Sequence, residues 1–432
     1  MQECNGAYAA IVRQILSDIL GGYCRYDYAI RLWDGSHWFP PSAKDGTNRS
    51  FTLVLSHPGS LRNMFDRASM LSLGQEFLSG SFDVEGNLFA ACELGDYLLR
   101  LKPSLRRRIK LALRIRKLPK GPTPSEGRAR CNLSGSVGSR SRLREAIAYH
   151  YDLPVDFWKL WLDSSLAYSC AYFKNGAESL DDAQANKLDY VCRKLYLSQG
   201  ERLLDLGCGW GGLVTFAACH YGVKATGITL SRTQAEYGSH LVRQLGLQRQ
   251  CEIIHLDFRD FRCAERFDKI ACVGAIEHVP VRDLNAFFEH VARLLKPGGL
   301  FLNHGITESA SENHPSGPSF VDAFVFPDHG VTTLSCQLKA AEESGFEVRD
   351  VECLREHYMR TCSEWLKRIE ENEVGLTRHS NRPTQRLFRL YVAGQAYYFK
   401  TGASSIHQML LVRSESKPAH LPLTRASWYR SG

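Results

Sequence analysis

The chain has 432 residues, of which 44% are hydrophobic and 23% charged, and its formal net charge is +8. This length is too great for one ordinary core and predicts two domains, while the composition is that of a soluble globular protein. No window approaches the roughly 18 consecutive apolar residues of a membrane span, and no secretory-signal pattern opens the sequence. We therefore expect a cytoplasmic protein.

The fourteen cysteines are scattered along the chain. They show neither the spacing of a small disulfide framework nor a CxxC pair of metal-ligand type, so we expect reduced thiols and no metal site. The positive net charge favours an anionic partner without identifying it.

The first hundred residues mix apolar and turn-rich segments. We predict a helix over residues 12–20, short strands at 30–33 and 51–55, and two helices around a Ser-Gly-Ser turn within 71–101. Together these elements predict a small N-terminal α+β domain over residues 1–120.

A basic segment closes that domain at residues 102–120. It carries nine Lys and Arg residues and no acid, with Leu and Ile interleaved. A basic amphipathic helix on an anionic membrane surface has this pattern, and so has a solvated basic helix beside a linker; both interpretations stay open. Nucleic-acid binding is disfavoured because no aromatic residue is interleaved to stack on bases.

Residues 121–144 are rich in Gly, Ser, Pro and Arg, which predicts a linker. Residues 145–432 then form the predicted catalytic domain, in which strands alternate with helices as in an α/β fold. The predicted strands are residues 202–206, 224–229, 251–256, 267–273, 299–303, 346–351 and 407–412.

A glycine-rich loop follows the first of these strands. Asp205 ends the strand, and Gly207, Gly209 and two further glycines follow it. Glycines at this position let a ligand approach the backbone closely, and a dinucleotide site is one alternative. The tight spacing after the acid resembles motif I of class I S-adenosylmethionine methyltransferases. That resemblance implies bound S-adenosylmethionine and a doubly wound sheet, mostly parallel with an antiparallel last strand.

Polar and aromatic residues follow the next two strands. Thr229 and Gln234 stand where dinucleotide enzymes place an acid for the ribose hydroxyls. After the third strand, Asp257 is a candidate acceptor for the adenine amine. Phe258 is a candidate to stack on the adenine ring, with a core aromatic as the alternative.

Five separated segments together resemble the cyclopropane-fatty-acid synthase family, which includes the mycolic acid cyclopropane synthases. They are AIAYHYDLPVDFWKLWLDSSLAYSCAYF, LLDLGCGWGGL with GITLSRTQ, VGAIEHV, NHGIT and REHYMRTCSEW. The resemblance covers residues 145–413 well and residues 1–100 more loosely. It implies methyl transfer from S-adenosylmethionine to the double bond of an unsaturated phospholipid acyl chain, closing a cyclopropane ring at the inner face of a membrane.

The resemblance also implies a set of site residues. Family members hold bicarbonate as the base that removes a proton from the new methyl group. Its cage, carried over by motif, is Cys170, Glu277, His304, Ile306 through its backbone, and Tyr358. Tyr168 and Ser169 correspond to cofactor contacts.

Several alternatives stay open. A methyl- or methylene-branching acyl methyltransferase would use the same first step, and a small-molecule methyltransferase or an inactive lipid-binding protein would keep the fold. This chain also departs from the family at Pro280, Asp328, His329 and Cys362, in or near the expected acyl-binding region. Whether the chain forms a homodimer is likewise open.

Overall fold

The computed structural model describes residues 2–43, 49–66, 69–121, 131, 133–136, 138–310, 319–414 and 421–429. The chain divides into two compact units. The smaller unit consists of Met1–Arg130, Ser316–Val325 and Asn381–Tyr397, and the larger unit of Cys131–Pro315, Phe326–Ser380 and Tyr398–Gly432. Two late segments thus belong to the smaller unit, and the domain limits drawn from the sequence stay a prediction.

The strands described by the structure form one sheet in each unit. In chain order they are β1 (Tyr28–Arg31), β2 (His37–Trp38), β3 (Phe51–Leu55), β4 (Phe82–Gly86), β5 (Arg202–Leu206), β6 (Lys224–Thr229), β7 (Cys251–His255), β8 (Phe267–Val273), β9 (Leu295–Glu308), β10 (Thr332–Thr333), β11 (Phe346–Cys353) and β12 (Ser404–Arg413).

The helices follow the same numbering. They are α1 (Gln2–Leu20), α2 (Ser60–Asp66), α3 (Met70–Leu78), α4 (Leu88–Arg100), α5 (Leu105–Arg116), α6 (Arg140–Tyr151), α7 (Val155–Lys159), α8 (Leu180–Lys194), α9 (Gly212–Tyr221), α10 (Arg232–Gln244), α11 (Leu284–Leu294), α12 (Phe320–Phe324), α13 (Leu334–Glu343), α14 (Arg355–Glu371), α15 (Glu373–His379), α16 (Arg382–Thr401) and α17 (Ala426–Tyr429). Within the described part of the chain, none of them combines the length and apolarity needed to cross a bilayer.

The smaller unit is built on a four-stranded sheet in the order β2-β1-β3-β4. Strand β3 alternates buried and half-buried residues, as a one-sided sheet requires. The prediction of two helices around a Ser-Gly-Ser turn was incomplete, because β4 lies between them and pairs antiparallel with β3. Helix α4 starts only after β4, where the Asn87 side chain accepts a hydrogen bond from the N–H of Ala90.

The larger unit contains a sheet in the order β11-β12-β9-β8-β5-β6-β7, with β10 paired to β9. Strands β5 to β9 are parallel, and β12 runs antiparallel to both β9 and β11. The predicted fold class is confirmed. Strand β9 is longer than predicted, because its polar half continues to pair with β12 as far as Glu308 and Ser404.

The order of the strands predicts where a ligand binds to this sheet. Strand β5 pairs with β6 on one side and with β8 on the other, so the chain order reverses at β5. In open α/β sheets, ligands bind at the carboxyl ends of the strands at such a switch point.

Candidate active site

A cavity opens at the carboxyl ends of β5, β6 and β8. It brings together eight of the nine cofactor residues predicted from the sequence. These are Tyr168, Ser169, Asp205, Gly207, Gly209, Thr229, Gln234 and Phe258.

The glycine loop after β5 forms one wall of this cavity. The N–H groups of Gly207 and Cys208 both donate to the carbonyl of Ile228 at 2.9 Å, which holds the loop against β6. Gly207 has a φ of +80°, and a Cβ there would lie 2.4 Å from the Cβ of Ala275. Gly209 has a φ of +54°, and a Cβ there would meet no atom of the described residues within 4 Å, so this point of the loop is open. Both positions therefore require glycine, for different reasons.

A buried acid and a buried lysine lie at the base of the cavity. Asp205 is 2% exposed, and its Oδ1 has no hydrogen-bond partner among the described residues. Burial raises the pKa of Asp205 to about 7, against the opposing charge of Lys187. Lys187 donates from Nζ to Ser169 Oγ at 2.9 Å, and burial lowers its pKa. The cavity thus contains one acidic and one basic side chain, and burial favours the neutral form of each.

Sequence patterns had not singled out Lys187. A signal was nevertheless present, because Leu180, Ala183 and Val191 are buried at helical spacing on α8 and Lys187 falls in the same stripe. A lysine within an apolar stripe is rarely buried without a partner or a function.

The remaining cofactor candidates differ in what they contact. Thr229 Oγ1 donates to Gln234 Oε1 at 2.7 Å, so these two side chains bind each other at the cavity wall. Asp257 is fully buried but does not line the cavity, since its carboxylate is bound by Arg259, with Nη2 2.6 Å from Oδ2. An adenine contact for Asp257 stays a prediction. Phe258 lines the cavity, as its predicted role requires.

The predicted catalytic residues form a second set, none of which lines the cavity itself. Glu277 lies just past β8 and is 8% exposed. Its Oε1 accepts a hydrogen bond from the backbone N–H of Ile306 at 2.6 Å, and its Oε2 has no partner among the described residues. Burial raises the pKa of Glu277 to about 7, although the Ile306 N–H opposes that effect. The backbone of Ile306 was predicted to contact bicarbonate. In this structure its N–H binds the Glu277 carboxylate.

His304 lies on β9, two residues before Ile306, and is fully buried. Gln408 Nε2 donates to His304 Nδ1 at 3.1 Å, so the neutral ring carries its proton on Nε2. That Nε2 has no partner within the described ranges. Burial lowers the pKa of His304 well below its usual value, which keeps the ring neutral. The carbonyl of His304 also accepts from the N–H of Gly274 at 2.8 Å, at the cavity rim.

Cys170 and Tyr358 are joined through the backbone of Leu354. The Leu354 carbonyl accepts from Cys170 Sγ at 3.8 Å and from the Tyr358 N–H at 3.0 Å. The Leu354 N–H donates to Ile406, which pairs with Ile306 across β9 and β12. Burial raises the pKa of the Cys170 thiol, so it stays protonated. The pairing of Ile306 with Ile406 therefore links the Glu277 contact to Leu354. The Leu354 carbonyl in turn binds Cys170 and Tyr358.

An aromatic cluster connects the cavity to Tyr358. The ring of Trp365 lies 5.2 Å from Tyr168 at the cavity wall and 5.9 Å from Tyr358. Trp158 and Trp161 pack on the other sides of Tyr168 at 5.2 and 5.3 Å. Aromatic contacts therefore link Tyr168 at the cavity wall to Tyr358 of the second set.

Comparison with known proteins identifies the family of this chain. A family model described as mycolic acid cyclopropane synthetase matches residues 139–409. The chain belongs to this family. A probable fatty acid methyltransferase of Pseudomonas putida is 36% identical over 405 residues, which are 93% of this chain and 96% of that protein.

Solved structures of the cyclopropane synthetase family share the fold. The cyclopropane synthase MmaA2 from Mycobacterium tuberculosis is 28% identical, with a TM-score of 0.60 over 62% of this chain and 98% of that one. Mycolic acid cyclopropane synthase CmaA1, solved with SAH and CTAB, is 31% identical, with a TM-score of 0.59 over the same shares of the two chains.

Asp328 and His329, two of the departures from the family pattern, precede a backbone contact with Glu277. Asp328 has a left-handed backbone with a φ of +59°, and both its oxygens bind the Arg142 guanidinium. The N–H of Gly330 donates to the carbonyl of Glu277 at 2.6 Å. A glycine is the usual residue for such a backbone, so the ion pair offsets the cost of Asp328. Cys362 is buried, 2% exposed, on α14.

Proposed function

We propose that this protein transfers the methyl group of S-adenosylmethionine to the double bond of an unsaturated acyl chain in a membrane phospholipid and closes a cyclopropane ring. The observation that carries the proposal is the pair of buried polar atoms, Glu277 Oε2 and His304 Nε2–H, that have no partner among the described residues. Membership of the mycolic acid cyclopropane synthetase family supports the substrate class.

The first cavity fits S-adenosylmethionine. Asp205 Oδ1 is a buried acceptor that suits an ammonium group, and the open space at Gly209 admits a ligand close to the backbone. Phe258 offers a ring face for a purine. S-adenosylmethionine supplies an electrophilic methyl group when it is bound there.

The aromatic cluster suits a positive charge on the acyl chain. Methyl addition to an alkene leaves a carbocation, which water would capture. Tyr168 and Trp365 present rings that exclude water, and aromatic faces stabilise cations by about 0.5–2 kcal/mol each. The protein thus provides an apolar but electron-rich surrounding.

The second set fits a bicarbonate ion. Bicarbonate has one O–H group and several acceptor oxygens, which match the Glu277 Oε2 acceptor and the His304 Nε2–H donor. Bound bicarbonate would supply the base for the proton on the new methyl group. Cys170 and Ile306 donate to Leu354 and Glu277 in this structure, so we assign them to positioning the set.

A second candidate is methyl or methylene branching without ring closure. It is favoured by the Pseudomonas putida relative, named a probable fatty acid methyltransferase, which matches 93% of this chain. Both reactions share the first step, because methyl transfer to the double bond leaves the same carbocation. Loss of a proton from the new methyl group then closes the ring, whereas a 1,2-hydride shift before proton loss leaves a methylene branch or a methyl-branched alkene.

Expression in a host whose own lipids carry neither rings nor branches tests the proposal. Phospholipid fatty acids are released and analysed by mass spectrometry and proton NMR. The expected product is an acyl chain with one added methylene and upfield ring protons, and Glu277→Gln should abolish it. Glu342→Gln, at an exposed carboxylate, is the control and should keep it. Branched product would favour the second candidate, and unchanged lipids would refute both.

A further inference from the structure

Helix α5 carries an apolar stripe on its exposed side. Leu105, Ile109 and Leu113 are 71%, 53% and 57% exposed. They are four residues apart, so they lie on one face of the helix. Ile115 lies on a different face and is buried, as is Leu118 just past the helix end. Single exposed leucines are ordinary, whereas a row of three large apolar side chains marks an interaction surface.

The cations of α5 differ in what they contact. Arg107 donates to the carbonyl of Asp18 and Arg114 binds the Asp18 carboxylate, so both fix α5 to α1 within the smaller unit. The others on the first two turns are exposed to solvent: Arg106, Arg108 and Lys110. The segment 102–120 contains no acid that would neutralise them.

The exposed cations border the apolar stripe. With about 100° per residue along a helix, Arg106 and Lys110 fall beyond Leu113 on one side of the stripe, and Arg108 falls beside Leu105 on the other. Long basic side chains can lay their methylene stems along an apolar surface and keep the charge in a polar layer. An apolar stripe with cationic edges is the form of a helix that lies in a membrane interface.

We propose that α5 docks this protein onto an anionic bilayer. Leu105, Ile109 and Leu113 enter the headgroup region, and Arg106, Arg108 and Lys110 contact lipid phosphates. A second copy of the chain fits the surface less well, because both copies would bring the same positive charge. A nucleic acid would satisfy the cations but leave the apolar stripe in water. This surface goes beyond the proposed chemistry, since adsorption requires no methyl transfer.

Co-sedimentation with vesicles tests the surface. The full-length protein is mixed with vesicles of equal phosphatidylglycerol and phosphatidylcholine, or of phosphatidylcholine alone. A charge variant replaces the three cations that border the stripe on the first two turns: Arg106→Gln, Arg108→Gln and Lys110→Gln. Its partition onto anionic vesicles should fall about 100-fold at low salt, and added salt should narrow the difference from wild type. A stripe variant, Leu105→Gln, Ile109→Gln and Leu113→Gln, should lose at least about tenfold.

Matched controls separate this surface from net charge and general hydrophobicity. The charge control replaces three exposed cations elsewhere, Lys224→Gln, Arg249→Gln and Lys367→Gln. The apolar control replaces three exposed apolar residues, Leu245→Gln, Val374→Gln and Leu423→Gln. Both controls should partition within about threefold of wild type, and circular dichroism should show that every variant is folded.

Three results would overturn the proposal. In the first, the charge and stripe variants partition onto anionic vesicles as wild type does. In the second, the control variants lose as much partition as the charge and stripe variants. In the third, sedimentation velocity shows that wild type is a dimer and the stripe variant a monomer. Methyl transfer to phospholipid in detergent micelles provides an independent readout. A stripe variant active on micelles but not on vesicles supports docking, whereas a wild type that is inactive on both refutes the proposed function and leaves the binding result standing.

Discussion

The Glu277→Gln substitution tests whether ionisation of the buried Glu277 carboxylate lowers the free energy of unfolding, as its raised pKa indicates. Burial raises the pKa of Glu277 from 4.5 to about 7. Below pH 4.5 the group is protonated in both the folded and the unfolded state and costs nothing. Between pH 4.5 and 7 only the unfolded chain ionises readily, so stability falls as pH rises. At about 1.4 kcal/mol for each pH unit, the loss reaches roughly 3 kcal/mol above pH 7.

Glutamine keeps the acceptor for the Ile306 N–H but does not titrate. The free energy of unfolding of wild type should therefore fall by roughly 2.5 kcal/mol more than that of the variant between pH 5 and pH 8. Urea titrations followed by tryptophan fluorescence measure this difference. Five of the seven tryptophans, including Trp158, Trp161 and Trp365, lie in the larger unit. Equal pH dependence in the two proteins would refute the reasoning, and Glu342→Gln should behave as wild type.

Three further predictions concern the cavity and its border. Gly209→Val should lower S-adenosylmethionine affinity at least about 100-fold in calorimetry, because its side chain enters open cavity space; Gly246→Val, also at a positive φ with open surroundings, is the control and should bind normally. Lys187→Met should raise the cofactor Kd about tenfold, since Asp205 and Ser169 lose their cation; an unchanged Kd would remove Lys187 from the site. Asp328→Ala breaks the pair with Arg142 next to the Glu277 turn; we expect a severalfold lower kcat/KM and an altered acyl-chain preference, with cofactor affinity unchanged.

Local patterns predicted the position of the glycine loop at the end of β5. Asp205, Gly207 and Gly209 are adjacent in sequence and are placed by one strand end, so their joint position needs no tertiary information. Thr229 and Phe258 follow neighbouring strands of the same parallel sheet and reach the same edge. Order along the chain was sufficient here because parallel strands align their carboxyl ends.

The rest depends on contacts between distant segments. Lys187 belongs to the site only because α8 buries the face that contains it. The N–H of Ile306 donates to Glu277, a contact across 29 residues that no spacing rule indicates. Strand β4 was missed because its five residues resemble the start of the next helix until β3 is available as a partner. Tertiary packing decided each of these cases.

Addition of a methyl carbon across an acyl double bond, with ring closure, can be traced directly with an isotopic label. The purified protein should be incubated with S-adenosylmethionine carrying a ¹³C-labelled methyl group, bicarbonate and vesicles of a monounsaturated phosphatidylglycerol. The extracted lipid is then examined by ¹³C NMR. We predict that the label appears as a cyclopropane methylene carbon. Label in a methyl or exocyclic methylene branch, or no label in the lipid at all, would contradict the account.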